Sequence, residues 1–333
     1  MTDKKRVALI YGGRGLEHSV SVSGAKDVLL QIDRERYEIY PIFIERDGSM
    51  HLCLSDGTCN TRVVPAFLDG RGVFLTDEGK RLPVDAALPL LHGDFGEDGS
   101  IQGLLTSCSI PFVGSDARAS AICIDKAVTK AVAESLGIPT VPWRLITDGK
   151  SGDLPSYPLF IKPDGLGSSI GARPARSPEE LDTAIAEATR LGGTRVLVEK
   201  LIYPIRELEC AYFSAQGERT VTAPGEILCD GFYSYEKKYS AHSAKTAVSA
   251  DLPKQISERI REYSDRLCRF IGVRHLARVD FFLSGDELYF NEINTMPGMT
   301  ASSLYLRLLD SAGISPQEAV NRMISDAITE VTP

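Results

Sequence analysis

Three absences narrow the possibilities before any motif is considered. No stretch of the 333-residue chain approaches the ~20 consecutive apolar residues that a membrane-spanning helix requires. The start, MTDKKRVALIYGG, has basic residues and only a short apolar run, so no secretory signal is expected. No run of Lys and Arg occurs, and acids outnumber bases 45 to 37 for a net charge of −8. That balance argues against a nucleic-acid partner. Cysteine is sparse: seven residues, scattered and odd in number, with no CxxC pair. The expectation is buried, reduced thiols in a cytoplasmic protein, not a disulfide scaffold or a zinc site. A 43 % hydrophobic and 25 % charged composition excludes a disordered or fibrous chain. The length suits two or three domains at roughly 100–200 residues each. An acidic protein that binds anionic ligands must do so with local lysines and arginines.

The first third alternates strands and helices. Arg6–Tyr11 is a short apolar run ending in Gly12-Gly13, Ser21–Ile32 suits a helix, and Tyr37–Ile44 and Val84–Leu91 suit strands. This pattern predicts a parallel, helix-flanked sheet. Ligands in such sheets sit beyond the carboxyl ends of the strands, where loops 12–18 and 92–99 would lie. One helix is expected over 117–136, followed by a boundary at Pro139 and Pro142. The middle region has different grammar: strands 157–162, 170–175 and 195–199, with a helix that opens on the capping box of Ser177 and Glu180. Beyond residue 205 come further strands, a polar loop, an amphipathic helix over about 253–271, and a hairpin of 277–283 with 287–294. The last helix is expected to start at the capping box of Ser315 and Glu318.

The most informative pattern is Asp280 on one hairpin strand with Glu292 and Asn294 on the other. Residues two apart on a strand share a face. Two carboxylates and an amide facing one spot on otherwise apolar strands suit a hard cation such as Mg²⁺. In PLFIKPDGLGSSIGA, 158–172, a strand delivers Lys162 into a glycine–serine loop able to surround phosphates with N–H and hydroxyl groups. Neither a Walker A loop nor a dinucleotide fingerprint is present. Lys126 adds a second point charge for a triphosphate. In VLVEKL, 196–201, Glu199 and Lys200 could meet a base or ribose, although for that motif alone a solvated strand end is the better reading. His92 alone would suit a helix cap as well as a catalytic role.

Taken in order, GGRGLEHSVS, LHGDFGEDGSIQG, ASAICIDKAVTK, FIKPDGLGSSIG, YSYEKKY, ARVDFF and NEINTMPGMT make the chain resemble the D-alanine–D-alanine ligases of the ATP-grasp superfamily from about residue 5 to about 325. The resemblance implies α/β and α+β architecture: a three-domain ATP-grasp fold with an N-terminal parallel α/β domain over 1–117. A central subdomain over 118–203 and a C-terminal domain over 204–333, carrying a lid loop at 230–247, would complete it. It also implies cytoplasmic synthesis of peptidoglycan precursors and a homodimer.

Residue roles follow from the same resemblance. Lys126, Lys162, Ser168 and Lys238 would meet ATP phosphates, and Glu199, Lys200, Ile202 and Glu207 the adenine and ribose. Asp280, Glu292 and Asn294 would bind two Mg²⁺, with Mn²⁺ as a substitute. Glu17 would hold the ammonium of the first D-alanine, with His92 nearby. Arg278 and the Gly298 N–H would hold an oxyanion. Lys238 and Ser303 would face the second carboxylate, with Leu304 beside it. Ser168, Tyr239 and Glu17 would form a hydrogen-bonded link closing the lid. Three departures stand out. Ser19 and Ser302 replace an acid and a His, and EKLIYPIRELEC is one residue longer than usual between Glu199 and Glu207, which loosens the base and ribose assignments. The pair Lys238-Tyr239 argues against D-lactate, leaving D-alanine as the expected second substrate and D-serine, as in vancomycin-resistance ligases, as the alternative.

Overall fold

The computed structural model describes residues 4–54, 57–147, 154–165, 167, 170–192, 195–228 and 245–329. Its elements run β1 Lys5–Gly12, α1 His18–Gln31, β2 Tyr37–Ile44, β3 Met50–Leu52, β4 Thr61–Leu68, β5 Arg71–Thr76, β6 Arg81–Pro83 and β7 Ala86–Leu90. Then come α2 Ser100–Ser107, α3 Ala117–Ile124, α4 Lys126–Ser135, β8 Trp143–Ile146, β9 Leu159–Pro163, β10 Arg173–Ala175, α5 Pro178–Gly192 and β11 Val196–Lys200. The last part holds β12 Arg206–Ala215, β13 Glu218–Val221, β14 Gly225–Leu228, β15 Lys245–Ala247, α6 Lys254–Ile271, β16 Leu276–Ser284, β17 Glu287–Asn294, α7 Leu304–Ser311 and α8 Pro316–Thr329.

The first sheet has the order β6-β5-β4-β3-β2-β1-β7. Parallel pairing is confined to β2-β1-β7, and residues 50–83 extend it as an antiparallel meander. From Val7 to Ile10 strand β1 is apolar and buried because both its faces are covered there. Val7 and Leu9 join one core with Val28, Leu88 and the C-terminal Met323 and Ile324, while Ala8 and Ile10 join another with Ile42, Phe74 and Leu105.

Two expectations need correction. The single helix over 117–136 is two helices broken at Asp125, whose extended backbone starts α4 and whose carboxylate accepts the Val128 N–H at 2.8 Å. An Asp offering its side chain to the backbone competes with helix continuation and favours a cap. The expectation of reduced thiols holds for Cys108, Cys123, Cys210 and Cys268, all buried and free. Cys53 and Cys59, however, form a disulfide. The chain doubles back between them, with Leu54 N–H donating to Thr58 O at 2.8 Å, and the two Cα atoms stand 4.0 Å apart.

The second sheet, β10-β9-β11-β8, is antiparallel. Its Leu159, Ile161, Val196 and Val198 pack on Leu181, Ala184, Ile185 and Ala188 of α5. The alternate residues, Phe160, Lys162 and Glu199, face a cleft. Helix α5 starts at Pro178, and Ser177 Oγ accepts the Glu180 N–H at 3.3 Å. The third sheet runs β15-β14-β12-β16-β17, with β13 on β12. Leu208, Cys210, Val279, Phe281, Leu288 and Phe290 pack against α6, and the opposite face of β12, β16 and β17 turns to the same cleft. Among the described residues no helix is long and apolar enough to cross a membrane.

Candidate active site

The two sheets enclose a cleft of about 990 Å³. Its floor is made by a change of register. Asp280 stands across from Glu292, and Phe281 across from Phe290, so Asn291 is the extra residue of a bulge. Without the bulge, alternation counted back from Ile293 would send Asn291 into the core and Phe290 to the cleft. With it, Asn291, Glu292 and Asn294 all reach the cleft side. A second cavity, of about 330 Å³, adjoins this floor between Glu97, Lys126, Glu292 and Asn294.

Charges of both signs converge there. The Arg278 guanidinium donates to both Asp280 oxygens, at 2.8 and 2.7 Å, and lies 3.3 Å from Glu209. Burial alone would lower its pKa, but these carboxylates hold it well above the ordinary value. Asn294 Nδ2 donates to Asp280 Oδ2 at 3.2 Å. Lys126 pairs with Glu292 at 3.3 Å. Burial pushes the ammonium down, but Glu292, with Asp164 and Glu97 adding to it, more than offsets this, and the pKa ends raised. Glu199 is buried, with one oxygen 2.6 Å from Lys130 and the other 2.7 Å from Lys162. Desolvation works against its charge, yet the two lysines draw its pKa down to about 2.

The donor set at the floor is all oxygen: two carboxylates and an amide on one face, opposite each other in register. That chemistry fits a hard divalent cation. The carboxylates are already engaged by Arg278 and Lys126, so an ion would enter by sharing them. Among the described residues no group of three His, Cys, Asp or Glu side chains forms a metal cluster; the third donor here is Asn294.

The amino-acid end is built by loops. Glu17 is the residue that caps α1: its carbonyl accepts the Val20 and Ser21 N–H groups, while its side chain makes no cap bond to the helix. Its carboxylate lies where a side chain on Gly93 would go, since a Cβ there would fall 2.5 Å from Glu17 Oε2, and a Cβ on Gly167 would fall 3.1 Å from it. Gly93 also has φ +64, a backbone that glycine adopts freely. Loops 12–17 and 92–99 and the backbone at Gly167 therefore meet at this carboxylate. His92 is buried with Nδ1 2.9 Å from Met296 O, and burial lowers its pKa despite Glu17 nearby. Glu97 accepts N–H groups from Gly93 at 2.9 Å and Met296 at 3.1 Å. Burial, and then the Glu17 charge, push it up to about 7.

Gly298 packs so closely on Ser303 that a Cβ would come 2.9 Å from its Oγ, and neither residue is among those lining the two cavities. Ser303 Oγ accepts the Thr300 N–H at 3.1 Å and begins α7. The Leu304 side chain lies in the core, leaving its backbone for the site.

Lys200 lines the cleft, and its ammonium donates to Ser156 and Tyr157 at 2.9–3.1 Å. Ile202 and Glu207 line the cleft. Ser168, Lys238, Tyr239 and most of the expected lid, 230–247, lie outside the described residues. Sequence reasoning missed Lys130, Glu209, Asn291 and Glu97. Lys130 was signalled by its i, i+4 spacing from Lys126, and Glu209 by its i, i+2 spacing from Glu207. Nothing in the pattern announces the bulge at Asn291.

A cleft between two antiparallel sheets, with lysines on one wall and oxygen ligands on the other, defines a ligase of the ATP-grasp class. The family description "D-ala D-ala ligase N-terminus" matches residues 6–115, and "D-ala D-ala ligase C-terminus" matches residues 132–325. The D-alanine–D-alanine ligase of Deinococcus radiodurans is 38 % identical over 98 % of this chain and 99 % of its own. Two solved structures are similar. One is the VanG D-Ala:D-Ser ligase of Enterococcus faecalis, with TM-score 0.88 and 31 % identity over 98 % of this chain and 100 % of that one. The other is the D-alanine–D-alanine ligase of Bacillus anthracis complexed with ATP, with TM-score 0.73 and 25 % identity over 97 % of each chain. The chain belongs to the D-alanine–D-alanine ligase family.

Proposed function

We propose that this enzyme joins two D-alanine molecules at the expense of ATP, supplying D-alanyl-D-alanine for peptidoglycan synthesis. The observation that carries the reading is the single cleft in which Lys126, Lys162 and Arg278 face Asp280, Glu292 and Asn294, beside the loop junction at Glu17. A carboxylate is a poor electrophile, so an amide bond requires its activation. Lys126 and Lys162 neutralise the phosphates while the γ-phosphoryl passes to the first D-alanine carboxylate, giving an acyl phosphate and ADP. Glu17 holds the ammonium of that substrate. The amine of the second D-alanine then attacks the acyl carbon. Arg278 and the Gly298 N–H hold the tetrahedral oxyanion until phosphate leaves.

A divalent cation, two Mg²⁺ in our reading or Mn²⁺ in their place, would be held by Asp280, Glu292 and Asn294 and would supply charge neutralisation for phosphoryl transfer. As the family resemblance implies, Ser303 and Lys238 would face the second carboxylate, and Ser168 and Tyr239 would link with Glu17 to exclude water from the acyl phosphate. Glu199, Lys200, Ile202 and Glu207 border the nucleotide. We assign domains to 1–117, 118–203 and 204–333, a homodimeric assembly testable by light scattering, and a cytoplasmic location where ATP is available.

The test is product analysis with purified protein, ATP and Mg²⁺. D-alanine-dependent ADP release with D-alanyl-D-alanine as product is expected, and no such release overturns the reading. Competition with D-serine decides the second substrate, because one hydroxyl is a small discrimination for a pocket. Preferential formation of the mixed dipeptide would make the chain a D-alanine–D-serine ligase.

A further inference from the structure

We propose that Lys130 is a positioning residue for the nucleotide, acting only through Glu199 to set the place and charge of the Lys162 ammonium. The proposal rests on the ligase reading of the cleft and assigns a function to a side chain outside it. Lys130 is fully buried and is absent from the cleft wall that contains Lys126, Lys162 and Glu199. A lysine is almost never fully buried without a partner. Its partner is Glu199, at 2.6 Å, whose second oxygen lies 2.7 Å from Lys162. The three groups form a row, ammonium–carboxylate–ammonium, with one end in the core and the other in the cleft.

The row has a consequence that a simple pair lacks. A Glu199–Lys162 pair alone would be neutral, and Lys162 would offer a phosphate little net attraction. With Lys130 behind it, the carboxylate is already balanced, and the row presents one net positive charge at its cleft end. Position follows the same logic. Each Glu199 oxygen lies beside one ammonium, so turning the carboxylate away from Lys162 would also part it from Lys130. The Lys162 ammonium has three N–H groups. Glu199 and Asn291, whose Oδ1 lies at 3.2 Å, account for two of them. The third is then directed by the first two. Helix α4 thus contributes twice from one face, directly through Lys126 and indirectly through Lys130 one turn later.

Equilibrium binding of ADP, of a non-hydrolysable ATP analogue and of adenosine, measured without D-alanine, tests this independently of ligase turnover. Lys130→Met should weaken ADP and the analogue at least ~10-fold and leave adenosine within about twofold, since adenosine carries no phosphate to sense Lys162. The KM for ATP should rise in proportion, with a smaller change in kcat, and Lys130→Arg should recover part of the loss. Glu199→Gln loosens Lys162 but leaves its charge unopposed, so it should weaken phosphate-bearing nucleotides less than Lys130→Met does, and Lys130→Met added to it should cause no further loss. Wild-type affinity in Lys130→Met, an equal loss for adenosine, or effects that multiply in the double variant would overturn the proposal. If Lys130→Met does not fold, the double variant, which buries no charge at either position, is compared with Glu199→Gln. Equal ADP affinity supports the relay, and a further tenfold loss refutes it. Failure of D-alanine-dependent ADP release by the wild type would instead count against the ligase reading.

Discussion

His275 and Asp326 lie 3.3 Å apart in a buried junction where three parts of the chain meet. His275 Nδ1 accepts the Gly114 N–H at 2.9 Å from the first third, and Asp326 belongs to α8. The accepting Nδ1 fixes the tautomer with its proton on Nε2, toward Asp326.

This geometry sets a pH dependence of stability. Burial, with Arg274 adding to it and Asp326 opposing, holds His275 down at about 4, against ~6.5 for an unfolded histidine. Protonation therefore favours the unfolded chain. The contribution is nil above about pH 7, and stability is lost as pH falls through 6.5 towards 4, by on the order of 1–2 kcal/mol at pH 5. His275→Asn keeps an acceptor for Gly114 and tolerates the positive φ of 59. Urea unfolding at pH 7.5 and pH 5 should show a smaller difference for the variant than for the wild type.

Asp280→Asn and Glu292→Gln should each lower kcat more than ~100-fold, with melting temperatures within a few degrees of wild type. Steady-state ADP release across a Mg²⁺ titration checks this. Near-normal turnover in both variants would place the metal elsewhere.

Gly93→Ala is expected to act on the amino-acid end alone. Its Cβ would fall 2.5 Å from Glu17 Oε2, and the left-handed backbone adds strain of about 1 kcal/mol. The KM for D-alanine should rise about tenfold while ADP affinity is unchanged. Kinetics with D-alanine varied, alongside ADP binding, separate the two.

Asn321 ties α8 to the end of α1. Its Oδ1 accepts the Asp33 N–H at 2.9 Å and its amide donates to Gln31 O at 2.9 Å. Asn321→Ala leaves these groups unpaired and should cost about 1–3 kcal/mol of stability, read as a lower urea midpoint with kcat retained by the folded enzyme.

Much of this site was written in local patterns. Glu292 and Asn294 share a face because a strand alternates, and Ser177 and Ser315 begin helices because a hydroxyl three residues ahead of Glu180 and Glu318 satisfies an N–H. What escaped depends on distance. Lys130 reads as an ordinary helical lysine until Glu199, 69 positions on, is brought against it. Asn291 gains its orientation from a bulge set by pairing with β16. Asp125 broke a helix whose apolar pattern ran on across it. The Cys53–Cys59 bond depends on a short reversal of the chain that composition could not show.

Helix α8 shares one core with the first sheet: Met323, Ile324 and Ala327 pack with Val7, Leu9, Val28 and Leu88. Residues 316–329 are made well after the strands and helix whose shared core they finish, so α1 and β7 keep apolar surface uncovered until α8 docks. Removal of α8 would bare Val28 and Leu88, so the first sheet depends for its outer layer on a helix that follows both other sheets in sequence.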